Sequence, residues 1–93
     1  MFDVAATTVS LAHAKRGDRG VIVKVGGVLH SDELERRLLE IGFVEGAQVS
    51  VLHEGPWGRD PIAVKVDDTR VALRRREAHD ILLRLETAPP VAA

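Results

Sequence analysis

The sequence predicts a mainly β fold, a small antiparallel barrel with one inserted α-helix. Three observations predict it. Five short segments carry strand patterning: Val21–Val25, Gln48–Glu54, Ile62–Val66, Thr69–Leu73 and Ile81–Leu85. They are rich in β-branched residues or alternate apolar with polar, the pattern of a half-buried pleated surface. Most of the gaps between them are too short for parallel crossovers, which need a dozen or more residues. One segment alone, 32–41, has a helical period. With 93 residues there is room for one domain and no large open sheet, so a small antiparallel barrel or sandwich is the economical way to bury the strands.

Taken in order, residues 1–10 show no strong pattern, and the first few are expected to fray. Leu11 to Lys15 suits one helical turn, and Gly17-Asp18-Arg19-Gly20 reads as a tight turn into the first strand. Gly26-Gly27 ends that strand. Asp32 with Glu35 forms a capping-box arrangement, and Leu34, Leu38 and Ile41 fall on one helical face as a candidate core stripe. Gly42 supplies the left-handed stop. Gly55 to Pro61 is dense in turn formers, Asp67-Asp68 is a short turn, and Arg74 to Asp80 suits a short helical turn. Ala88 to Ala93 reads as a loose tail.

Composition narrows the function. The chain carries 13 Val, 10 Leu and 4 Ile, enough aliphatic surface to offset the ordering entropy of a small domain. Thirteen Lys and Arg against 14 Asp and Glu leave a net charge of -1, without the basic excess of a free-standing nucleic-acid binder. There is no cysteine, so disulfides, thiolate metal sites and cysteine nucleophiles are excluded together. The first residues show no basic leader followed by an apolar run, and no stretch approaches a membrane span, so the expected location is the cytoplasm.

Catalytic signatures are absent. None of Ser10, Ser31 and Ser50 sits in a nucleophile elbow, and Asp67-Asp68 lies where Asp serves a turn. Gly17, Gly20, Gly26 and Gly27 lack the spacing of a phosphate-cradling loop. His13, His30, His53 and His79 are scattered, with no pair four apart on a helix, although folding could gather two of them with Glu54 or Asp80.

Two stretches carry a resemblance: Arg36-Arg37-Leu38-Leu39-Glu40-Ile41-Gly42-Phe43-Val44-Glu45-Gly46-Ala47-Gln48-Val49, and Asp60-Pro61-Ile62-Ala63-Val64 leading to Val71-Ala72-Leu73-Arg74-Arg75-Arg76-Glu77-Ala78. In order and spacing they closely resemble the FeoA family, the small soluble component of bacterial ferrous iron transport systems. The resemblance covers roughly residues 9–86 and implies an SH3-like barrel flanked by flexible segments 1–8 and 87–93. It also implies an adaptor role on the cytoplasmic side of a membrane GTPase-transporter for Fe(II), ferrous iron transport protein B. The GTPase chemistry would belong to that partner, so no cofactor, nucleic acid or membrane insertion is expected of this chain. Self-association stays open. The module is similar, too, to the C-terminal domain of some metal-dependent repressors, whose DNA-binding and dimerisation helices have no room here. Relative to the family's usual turn, Pro56–Pro61 is longer, with Arg59 as the extra residue.

The candidate partner-binding residues are Arg36, Arg37, Trp57, Arg59, Asp60 and Arg74. Arg36 and Arg37 straddle the apolar helix face and reach outward. Trp57 is the only Trp, set in a turn, where it either meets a partner or folds back onto the barrel. Arg70, Arg74, Arg75 and Arg76 form a local basic excess that reads as a solvated face, a docking patch for an acidic surface or, without aromatics to stack bases, least of all a nucleic-acid site. Arg74 also suits a structural pair with a helix carboxylate. Two alternatives to the adaptor are a metal-responsive regulatory module and a small nucleic-acid-binding barrel.

Overall fold

The structure, a computed structural model, describes residues 8–26 and 32–86. Six strands and one helix make the fold. They are β1 (Thr8–Ser10), β2 (Arg19–Val25), α1 (Asp32–Ile41), β3 (Gln48–Glu54), β4 (Ile62–Val66), β5 (Thr69–Leu73) and β6 (Ile81–Leu85). All pairings are antiparallel, in the order β1-β6-β2-β3-β4-β5. The five expected strands fall on β2 to β6, and the fold is mainly β as the patterning requires. The expected flexible segments, 1–8 and 87–93, lie outside the described residues except for Thr8, which opens β1.

β1 is the strand that patterning missed. Its three residues have no alternation of their own, and their register comes from β6, where Thr8 faces Arg84 and Ser10 faces Leu82. Ser10 then caps a single 3-10 turn, Leu11–His13, by accepting a hydrogen bond from the Ala12 N–H at 3.1 Å. Its hydroxyl donates to the His79 carbonyl at 2.6 Å, which fastens this entry to the Arg74–Asp80 turn.

The inner face of the sheet holds the core. Ile22, Val49, Val51, Ile62, Val64, Val66, Leu73, Ile81 and Leu83 alternate inward and are buried, with Leu11, Leu38 and Phe43 closing over them. Bulges at Val23 in β2 and Leu52 in β3 shift the register midway along each strand, which bends the sheet around that core.

Of the helical stripe, Leu38 is buried, while Leu34 and Ile41 are half-buried and packed against the core. Asp32 is the first helical residue, and what precedes it lies outside the described residues; Glu35 lies beside Gly26, where an added Cβ would sit 3.2 Å from its carboxylate. At the other end Gly42 has φ 126°, a conformation that side-chain-bearing residues rarely adopt. Its N–H reaches the Leu39 carbonyl at 3.1 Å and the Phe43 N–H reaches that of Leu38 at 2.9 Å, the paired bonds of a Schellman stop. Leu38 and Phe43, the apolar pair that accompanies this stop, are both buried.

Candidate functional site

The Gly55–Pro61 loop joins β3 to β4 and holds its most exposed apolar side chain at its apex. Its neck is narrow: the Gly55 N–H donates to the Pro61 carbonyl at 2.8 Å. A Cβ on Gly55 would lie 2.5 Å from the Asp60 carbonyl oxygen, so only glycine closes this neck. Within it the Asp60 N–H reaches the Trp57 carbonyl at 3.3 Å, and Gly58 and Arg59 both take left-handed backbone angles, φ 67° and 64°. That conformation turns the chain sharply enough to leave Trp57 78% exposed.

Arg75 holds the loop from below. Its backbone N–H donates to Asp60 Oδ1 at 2.9 Å and its Nε to the Arg59 carbonyl at 2.8 Å. One terminal nitrogen donates to the carbonyls of Ala12 and Ala14 at 2.8 and 2.9 Å, and the other to Glu54 Oε2 at 2.8 Å. The planar fork of a guanidinium suits this task, since its donors leave in fixed directions. The loop is therefore braced against the 3-10 turn, the end of β3 and the turn after β5. A fixed platform that presents a large aromatic is suited to recognition, because little ordering entropy remains to be lost on contact.

Residues 9–85 match the FeoA domain. The chain belongs to the FeoA family. It is 37% identical over 75 residues to the Fe(2+) transport protein A/Fe(2+) transporter FeoB fusion protein of Porphyromonas gingivalis, covering 81% of this chain and 8% of that one. Among solved structures, FeoA of Stenotrophomonas maltophilia complexed with zinc, described as a procaryotic SH3 domain protein, superposes with a TM-score of 0.73 at 33% identity, covering 84% of this chain and 95% of that one. FeoA of Chlorobium tepidum gives a TM-score of 0.73 at 30% identity, covering 90% and 76%. The barrel is thus of the SH3-like type.

On this FeoA domain the candidate residues fall in three places. Trp57, Arg59 and Asp60 share the loop, where Asp60 is half-buried and bonded to Arg75, and Trp57 does not fold back onto the barrel. Arg36 and Arg37 are exposed on α1, and Arg37 reaches Glu77 at 4.0 Å. Arg74 is exposed, and its backbone N–H, rather than its side chain, meets a carboxylate, Glu77 Oε1 at 2.9 Å. Glu77 so links the helix to the turn that carries Arg74 and Arg75.

Sequence reading placed Arg75 in a basic run, read as a solvated face, a docking patch or least of all a nucleic-acid site, and missed its part in the loop. β5 ends at Leu73 and Arg75 lies in the turn after it, so the strand's two-residue alternation does not reach Arg75 and no local pattern marks its part in the loop. Among the described residues no three of the His, Asp and Glu side chains are grouped to hold a metal ion. His13 and His53 are exposed, His79 is bonded to Asp80 at 3.0 Å, Glu54 is engaged by Arg75, and His30 lies outside the described residues.

Proposed function

We propose that this FeoA-family chain is a non-catalytic adaptor of ferrous iron uptake, which binds the membrane GTPase-transporter, ferrous iron transport protein B, from the cytoplasmic side. The observation that carries the reading is Trp57, 78% exposed on a loop braced by Arg75. Exposed aromatics on rigid supports make recognition anchors. The Porphyromonas gingivalis relative joins a homologous domain to a Fe(2+) transporter in one polypeptide, an arrangement that raises the effective concentration of two modules that work together. Arg36, Arg37, Arg59 and Arg74 supply cations for the rim of the contact, where charge steers association.

An adaptor acts on its partner by binding one of the partner's states more tightly than another. The test is capture of the purified transporter by the immobilised chain, wild type against Trp57→Ala and Arg37→Ala, with the transporter's GTP hydrolysis followed in parallel. Weaker capture by Trp57→Ala supports the reading. Equal capture by all three proteins removes this surface from it, and no capture by the wild type removes the pairing.

A further inference from the structure

Among the described residues β5 has one side unpaired, at the end of the sheet order. The two-residue turn Asp67-Asp68 sets its register: Val66 faces Thr69, Val64 faces Val71 and Ile62 faces Leu73. Residues flanking such a turn exchange backbone bonds, and antiparallel pairing alternates from there. Thr69, Val71 and Leu73 therefore aim their N–H and C=O groups at β4, and Arg70 and Ala72 aim theirs outward. Both are exposed. The open stretch ends at Arg74, whose N–H is taken by Glu77.

The outer face beside this edge is cationic, while the acidic Asp67 and Asp68 stand at the turn that opens β5, with Asp67 Oδ1 accepting from the Gln48 N–H at 3.2 Å. Lys65 is the cross-strand neighbour of Arg70, Ser50 that of Lys65, and Arg19 that of Ser50, which lays three cations in one row over the outer face of β2, β3, β4 and β5. None of the three has an ion-pair partner among the described residues. On the opposite face Val71 is half-buried against the core.

We propose that the β5 edge is a strand-addition site for an extended acidic segment of a protein partner, its carboxylates over Arg70 and Lys65 and its alternate apolar residues beside Val71. Main-chain bonds to Arg70 and Ala72 supply the docking, and the side-chain alternation supplies the selection. The assignment deepens the adaptor reading and rests on it for the source of the segment. Charge decides against a second copy as the occupant. Antiparallel pairing of two β5 edges about Val71 sets the two Arg70 side chains diagonally across the junction on one face, about 7–8 Å apart, with both Lys65 side chains behind them.

The experiment titrates the full chain, ¹⁵N-labelled, with a blocked synthetic peptide of alternating Glu and Val, and with its Lys and Val counterpart. The expected result is shifts centred on the Arg70 and Ala72 amides with the Glu peptide, and binding of the Lys peptide weaker by at least about tenfold. Ala72→Pro removes an N–H that faces away from β4, so it blocks addition and leaves the β4–β5 ladder in place, as slow exchange of the Val71 amide will report. Should that variant unfold, Arg70→Glu, at an exposed position, must reverse the peptide preference. Absence of shifts at Arg70 and Ala72, equal binding of both peptides, or self-association abolished by Ala72→Pro overturns the proposal. Because the peptides stand in for the partner, failure here leaves the Trp57 capture test unaffected, and failure of that test leaves this one readable.

Discussion

Arg75 and Glu54 meet at 2.8 Å in a setting where each side chain is only about one-fifth exposed. Neither belongs to the loop between them, yet the pair sets where that loop lies. The same guanidinium binds the carbonyls of Ala12, Ala14 and Arg59. One cation so gathers segments far apart in sequence, and the charge of Glu54 keeps it there.

Replacing Arg75 with Ala leaves the Glu54 carboxylate and three carbonyls without their donor. Bonds to a charged group contribute about 1.5–3 kcal/mol, and part of each loss is recovered by water at this partly exposed site. Arg75→Ala is expected to lower unfolding free energy by about 2–4 kcal/mol in urea denaturation. Arg75→Lys, with a point charge in place of a fork, restores the Glu54 contact but not the whole set, and lands between the two. A Lys variant as stable as wild type would show that the geometry of the fork is immaterial.

Gly55→Ala tests the neck. Its Cβ would meet the Asp60 carbonyl oxygen at 2.5 Å and the carbonyl carbon at 2.7 Å, both backbone atoms that cannot swing aside. The loop must open, at about 1–3 kcal/mol, as for other overpacked sites. Amide exchange at Asp60, protected in wild type by the Trp57 carbonyl, should rise with it.

Trp57→Ala separates display from support. At 78% exposure the ring contributes little burial, so stability should stay within about 0.5 kcal/mol of wild type while transporter capture falls. A large loss of stability would mean that the indole packs on the barrel in solution.

How far the sequence foretold this structure depends on where each signal was stored. β2 to β6 were legible because alternation is local, and the Gly42 stop because a left-handed residue is a local demand. β1 was not, since Thr8, Val9 and Ser10 become a strand only when β6 supplies the partner. Nor was the bracing of the Trp57 loop, which rests on bonds between Arg75 and residues 16 to 63 positions away. The cations Arg19, Lys65 and Arg70 are scattered along the chain and meet only through strand register.

The Leu38–Phe43 pair gives the sharpest test of how the helix is fixed. Only one end of α1 is tied down among the described residues by a capping motif, and there the Gly42 and Phe43 N–H groups close on the Leu39 and Leu38 carbonyls. Phe43→Ala removes a fully buried ring and should destabilise by about 3–5 kcal/mol. Gly42→Ala removes no contact, because its Cβ would meet only Val66 Cγ1, at 4.0 Å. Its cost is conformational, about 1–3 kcal/mol for holding φ 126° with a side chain. The two substitutions act on one motif, so the double variant should lose less than the two single losses together. Strict additivity in thermal unfolding would mean that the helix stop and the buried ring are independent, and that α1 is held by its apolar stripe alone.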